Sequence, residues 1–233
     1  MKIALITLFP EVVEVFADYG VTGRAVAEKK IDLRSFNPRD YATDKHRTVD
    51  DRPYGGGPGM VMRCEPLKAA IEDAKKWMED RALVVYLSPQ GKRLVQARTE
   101  ELASENLILI AGRYEGIDQR AIDTLVDEEI SIGDYVLSGG ELPALVLIDA
   151  ILRHVPGVLG HADSAGQDSF SRNEKGEEEL DWPHYTRPEV FEGQAVPEVL
   201  LSGDHKLIEK WRRQEAIAKT RRIRPDLILN RKK

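Results

Sequence analysis

The sequence holds a single cysteine, Cys64, so no intrachain disulfide can form and a reducing compartment is expected. With 233 residues the chain can bury a proper core without covalent staples, as one large domain or two modest ones. No apolar stretch approaches bilayer length, which excludes a membrane span. Residues 1–9 carry one lysine and run straight into Pro10 and Glu11 without the small-residue cleavage site of a signal peptide. They read as a first strand, and the expected location is the cytoplasm. Phosphate-binding signatures are missing too: there is no Gly-Lys-Ser or Gly-Lys-Thr, and no G-x-G-x-x-G follows the first strand. A Walker loop and an ordinary dinucleotide site are therefore not expected. The five histidines, at 46, 154, 161, 184 and 205, lack the short spacings of a metal cage, and no metal-binding residues are assigned. Cys64 reads as a small buried hydrophobe.

The formal charge of −6 argues against a uniformly basic nucleic-acid binder, but the charge is unevenly spread. Residues 204–233 carry eleven Lys or Arg against four Asp or Glu, a local +7 that leaves −13 for the rest. An acidic body with a basic C-terminal arm suits contact with a polyanion. Taken alone, the arm reads better as a solvated tail helix.

From residue 2 to about 161, apolar runs alternate with helical spacing, the pattern of an α/β domain. Strands are expected over residues 3–8, 83–87, 107–111 and 130–137. Leu67, Ala70, Ile71, Ala74, Trp77 and Met78 recur at three and four residues and form one apolar stripe able to pack on a sheet. Ser138-Gly-Gly-Glu141 has the form of a capping box, with Pro143 in the first turn of a helix through Leu142, Leu145, Val146, Ile148, Asp149 and Leu152. Residues 162–181 turn to Asp, Ser, Gly, Glu and Asn, too polar to repay the entropy of ordering, and read as a mobile linker. Beyond it, residues 206–222 predict a helix with Leu207, Trp211 and Ala218 inward and basic groups outward.

Three glycine-bearing segments stand near the ends of predicted strands, where open α/β sheets bind ligands: Ser88-Pro89-Gln90-Gly91-Lys92, Gly112-Arg113-Tyr114-Glu115-Gly116, and the run from Ser131 to Gly140. Glycine there allows close backbone approach to a ligand. Each segment alone reads as a turn or a cap; the three together point to a pocket.

With Met1-Lys-Ile and Thr7-Leu-Phe-Pro-Glu11, Tyr54-Gly-Gly-Gly-Pro-Gly-Met60, Leu87-Ser-Pro-Gln-Gly91, Gly112-Arg-Tyr-Glu-Gly116, Ile132-Gly-Asp-Tyr-Val-Leu-Ser-Gly-Gly-Glu141, Val155-Pro-Gly-Val-Leu-Gly160, Asp168-Ser-Phe170 and His184-Tyr-Thr-Arg-Pro188 in this order, the chain resembles the bacterial tRNA (guanine-N1)-methyltransferases, the TrmD family, over nearly its whole length. The resemblance implies a SPOUT fold: a parallel-sheet α/β domain over residues 1–161 whose C-terminal part is threaded into a trefoil knot, against the general rule. A flexible linker over 162–181 and a small, mostly helical RNA-binding domain over 182–233 follow.

The activity so implied is S-adenosylmethionine-dependent methylation of N1 of guanosine 37 in tRNA, by a homodimer with its active site at the subunit interface and with help from magnesium. By position, the cofactor pocket comprises Tyr86, Leu87, Ser88 and Pro89, then Gly112, Tyr114, Glu115 and Gly116, then Ser131, Ile132, Gly133, Asp134, Tyr135, Val136, Leu137, Gly139 and Gly140. Asp168 resembles the general base and Arg153 the group that supports charge on the guanine. Outside the resemblance, Asp168 is a solvated carboxylate and Arg153 a complement to a helix dipole. The linker departs from the family pattern, longer and more acidic over residues 172–181, with Glu177, Glu178 and Glu179. A non-catalytic RNA-binding module, a small-molecule α/β enzyme and a knotted methyltransferase acting on another RNA base remain open on the residues alone.

Overall fold

Unbroken apolar runs suit strands covered on both faces, and here they form the middle of a parallel sheet. A computed structural model describes residues 1–159, 168–172 and 178–229; the chain divides into two units, Met1–Gly160 and His161–Lys233. The first runs β1 (Lys2–Ile6), α1 (Pro10–Asp18), α2 (Gly20–Ala27), β2 (Asp32–Phe36), a 3-10 turn (Pro38–Tyr41), β3 (Asp50–Asp51), β4 (Val61–Met62), α3 (Cys64–Met78), β5 (Leu83–Arg93), α4 (Gln96–Leu102), β6 (Leu107–Ala111), α5 (Gln119–Leu125), β7 (Glu128–Ser131) and α6 (Glu141–Leu152).

The main sheet has the order β2-β1-β6-β5-β7 and every pairing is parallel. Alternate residues supply two cores. Ile3, Leu5, Val85, Leu87, Leu107 and Leu109 meet α1, α2, α4 and α6, while Ala4, Ile6, Val84, Ile108 and Ile110 meet α3 and α5. In α3 the predicted stripe is buried through Leu67, Ala70, Ile71, Ala74 and Met78, with Trp77 at its margin. Each buried Leu, Ile or Met contributes about 1.5–3 kcal/mol, so packing outweighs propensity in fixing this helix.

Several expectations are corrected. The first strand ends at Ile6, not Leu8, because the Thr7 hydroxyl accepts a hydrogen bond from Phe9 N at 3.0 Å and turns the chain into α1. The last strand stops at Ser131, not Leu137: the Ser131 hydroxyl bonds the N–H of Gly133 at 3.2 Å, and Gly133 has φ 153°, so the chain turns out of the ladder. β2 had no apolar signature because it is a polar edge strand, with Phe36 its one buried residue. Cys64 is half-buried, and burial together with the nearby Asp118 carboxylate pushes its thiol pKa up.

The capping box is not formed. Gly140 occupies the N-cap of α6 without a side-chain cap, and Glu141 is buried, its Oε1 accepting from the Thr7 hydroxyl at 2.9 Å. Leu142 and Val146 lie outward, 59% and 49% exposed.

The second unit contains the hairpin β8 (Val190–Phe191) and β9 (Gln194–Ala195), α7 (Glu198–Leu201), α8 (His205–Ile223) and α9 (Asp226–Leu229). Asp204 caps α8, accepting from the N–H groups of Lys206 and Leu207. Its inward face is Ala216 and Thr220, whereas Leu207 and Ala218 are exposed and Trp211 is half-buried. The reason is what packs there: the Thr220 hydroxyl accepts from Leu180 N at 2.9 Å and Lys219 pairs with Asp181 at 3.0 Å. Thus Leu180 and Asp181, at the end of the expected linker, pack on α8. Glu177 and the terminal Arg231, Lys232 and Lys233 lie outside the described residues.

Candidate active site

Beyond the C-terminal ends of β5, β6 and β7 lies a cavity of about 320 Å³, large enough for a small cofactor. Of the seventeen residues assigned to the pocket from the sequence, all line it but Asp134, whose carboxylate pairs with Arg93 at 2.5 Å. Gln90, Arg113, Ile117, Gln119, Ile122, Glu129, Ile130, Ser138 and Pro143 line it as well. Gln90, Arg113 and Ser138 lay inside the quoted motifs without being assigned to the pocket; the others went unseen because they belong to strands, helices and their ends rather than to glycine-rich turns.

The glycines build the wall. A Cβ on the lining residue Gly140 would stand 2.7 Å from Ala111 Cα, and one on Gly91, next to the lining Gln90 but not itself a lining residue, would stand 2.5 Å from the β7 backbone at Glu129 and Ile130. One on Gly112 would come within 2.8 Å of the Tyr86 ring. At these positions neighbouring protein atoms leave no room for a Cβ.

β5 loops out over residues 88–91 between pairings of Leu87 and Lys92 with the same Ile130, which carries Ser88, Pro89 and Gln90 over the cavity. The glycine-rich loop between β3 and β4 has Tyr54 almost wholly exposed, and its far end docks on the cavity segment: Met60 O accepts from Glu115 N at 3.0 Å, and Gly116 O accepts from Met62 N at 2.9 Å. Burial pushes the Tyr86 hydroxyl pKa up; Tyr114 is raised by burial and by Asp50.

Arg113, the one cation lining the cavity among the described residues, stands with Nε 2.8 Å from Glu141 Oε2, close enough for an ion pair but misaligned for a hydrogen bond. It donates from Nη1 to Ser138 O at 3.2 Å, and its guanidinium lies 4.4 Å from the Phe9 ring centre.

The two residues expected to do chemistry are not among the lining residues. Arg153 caps the C-terminus of α6, whose N-terminus borders the cavity. Twelve helical residues rise about 18 Å, so Arg153 stands a helix length from the cavity of its own chain. Asp168 belongs to the second unit, in a turn closed by Ser171 N bonding Asp168 O at 3.2 Å. The next residue is held firmly: the Ser169 hydroxyl donates to Asp181 Oδ1 at 2.8 Å and accepts from Asp181 N. Asp181 also receives Lys219 at 3.0 Å and His184 at 3.2 Å. Burial raises the Asp181 pKa, but hydrogen bonds from Ser169, Lys219 and His184 outweigh it and hold the carboxyl below its ordinary value. Sequence reasoning singled out neither Asp181 nor Ser169 for this role.

Among the described residues no helix is long and apolar enough to cross a membrane, and no three His, Cys, Asp or Glu converge as a metal cage.

Comparison with known proteins agrees with the eight motifs. The family profile described as tRNA (Guanine-1)-methyltransferase TrmD matches residues 1–230. A tRNA (guanine-N(1)-)-methyltransferase of Pseudoalteromonas translucida is 60% identical over 229 residues, covering 98% of this chain and 88% of that protein. Proteins of the same name from Pseudomonas fluorescens and Shewanella loihica are 57% and 58% identical, each covering 99% of this chain and 91% of the relative. With a family match over almost every residue and a cavity walled by the family's motifs, the chain belongs to the TrmD family of tRNA (guanine-1)-methyltransferases and is an enzyme.

Proposed function

We propose that the protein methylates N1 of guanosine 37 in tRNA, using S-adenosylmethionine bound in the cavity at the ends of β5, β6 and β7. The observation that carries this is the cavity itself, walled by three motif segments of a methyltransferase family. Its residues fit the cofactor: Leu87, Ile130 and Pro143 offer apolar surface, while the strand-end backbone at residues 112–116 and 131–140 offers polar groups beside Tyr86, Tyr114 and Glu115. Bound S-adenosylmethionine supplies an electrophilic methyl group.

Guanine N1 carries a proton and has no free lone pair, so a base must remove the proton before N1 can attack. Asp168 is that base. Negative charge then spreads to O6, where Arg153 stabilises it, more strongly once bound RNA has excluded water. With no metal cage among the described residues of one chain, no step is assigned to magnesium.

The enzyme acts as a cytoplasmic homodimer, each site combining the cavity of one chain with Asp168 and Arg153 of the other. Arg153 lying a helix length from its own cavity supports this, as do the outward apolar Leu142 and Val146 on α6. A trefoil knot in the C-terminal part of the first unit is part of the same reading. It is supported by the path of the chain, which leaves β7 at the sheet edge yet returns so that Gly140 N bonds Gly112 O beyond β6, at 2.9 Å.

The test is to incubate the protein with tRNA transcripts bearing guanosine or adenosine at position 37 and labelled cofactor, then map the product by mass spectrometry. N1-methylguanosine at 37 is expected from the first transcript alone. Labelling of any other nucleotide, or none, would sink the proposal.

A further inference from the structure

We propose that Thr7, Glu141 and Arg113 form a positioning relay that fixes the cavity wall at residues 138–140 and so sets the affinity for the cofactor. The inference rests on the reading that the cavity holds S-adenosylmethionine.

Glu141 is 2% exposed, and a carboxylate so deeply buried persists only with good partners. One oxygen accepts from the Thr7 hydroxyl at 2.9 Å; the other lies 2.8 Å from Arg113 Nε. Thr7 is itself fully buried and fixed by Phe9 N, whose ring lies under the Arg113 guanidinium. The end of β1 is thereby joined to the segment after β6 and to the start of α6.

What the relay holds is the wall. Arg113 Nη1 bonds Ser138 O, and a side chain at Gly139 would run into the guanidinium. Gly140 N bonds Gly112 O, one residue before Arg113. Residues 138–140 therefore have one face against Arg113 and the other toward the cavity. A charge pair serving only to stabilise the fold would not need the added Ser138 contact or the bare Gly139.

The two roles separate experimentally. Removing one member of a buried pair destabilises, whereas replacing both with neutral groups of similar size restores stability. The single variant Glu141→Gln and the double variant Glu141→Gln/Arg113→Met are compared with wild type for thermal midpoint, for binding of S-adenosylhomocysteine by calorimetry, and for amide exchange in the ligand-free protein. The double variant is expected to recover the wild-type midpoint, yet bind at least tenfold more weakly and exchange faster at residues 138–140 alone. Arg113→Lys keeps a cation beside Glu141 and is expected to show the same weakening, which covers poor folding of the double variant. Wild-type affinity in a folded variant that lacks the guanidinium would overturn the relay and leave the cofactor reading standing. No binding by the wild type itself would overturn both.

Discussion

Asp168→Asn is nearly isosteric and removes only the capacity to take up a proton. Its expected effect is a loss of methyl transfer of about 100-fold or more, the scale of general base catalysis, with unchanged calorimetric binding of S-adenosylhomocysteine. Retained turnover would remove Asp168 from the chemistry. Gly91 tests the packing of the β5 loop on β7. A methyl group there meets the β7 backbone at 2.5 Å, so Gly91→Ala is expected to cost about 1–3 kcal/mol through overpacking. Gly56, at φ 79° with open space around it, is expected to lose no more than about 1–2 kcal/mol on the same change, from left-handed backbone strain alone. Thermal unfolding of both variants ranks the two effects, and a smaller loss at Gly91 would show that the loop can move away from β7. At this scale the cavity was largely legible, since glycines at strand ends mark it whether they face ligand or protein. Glu141 was not, because a serine three residues before a glutamate has the form of a capping box while the burial that redirects the side chain arises from Thr7 and Arg113, remote in sequence.

Secondary elements were legible where hydrophobic periodicity was strong, as in β6, α3 and α6. β2 escaped because an edge strand needs few apolar residues, and the inner face of α8 was misjudged because the short segments that cover it are polar. Those segments make the C-terminal unit sensitive to acid. The Asp181 carboxyl is held below its ordinary value in the folded chain, so its contribution is present above the unfolded carboxylate pKa, about 3.9, and is lost as pH falls through that value toward the folded one. Asp181→Asn should remove this acid step and loosen the turn that carries Asp168. Hydrogen exchange at Ser169 and Phe170 between pH 3 and 6 reads both, and unchanged protection in the variant would deny Asp181 its role. On α8 and at its C-cap, Lys219 and Arg224 pair with Asp181 and Asp226, whereas Lys210, Arg221 and Arg222 face solvent. Neutralising those three is expected to lower the salt slope of tRNA binding by roughly 0.7–0.9 for each phosphate that is no longer neutralised. An unchanged slope would return the arm to a solvated tail.

For the whole molecule, charge asymmetry and the change of composition near residue 162 point to a body and an arm, but no periodicity can reveal which chain supplies which part of a site. The shared-site proposal separates the functions between chains. Asp168→Asn should leave a sound cavity without a base. Gly133→Val places a branched side chain at φ 153°, with its Cβ 2.5 Å from the cavity-lining Tyr135 ring, so it is expected to spoil cofactor binding while its strain stays in the loop after β7 rather than in the sheet. In a heterodimer of the two, the sound cavity of the Asp168→Asn chain meets the intact Asp168 of the Gly133→Val chain, and one working site is rebuilt. The second site receives both defects and is dead. Co-expression with different tags, followed by tandem purification, should therefore recover up to half of wild-type activity from two nearly inactive parents. If each parent is folded and dimeric and the purified heterodimer is still as inactive as both, each chain must bring Asp168 to its own cavity. The helix-length separation of Arg153 from that cavity would then have to be closed within one chain.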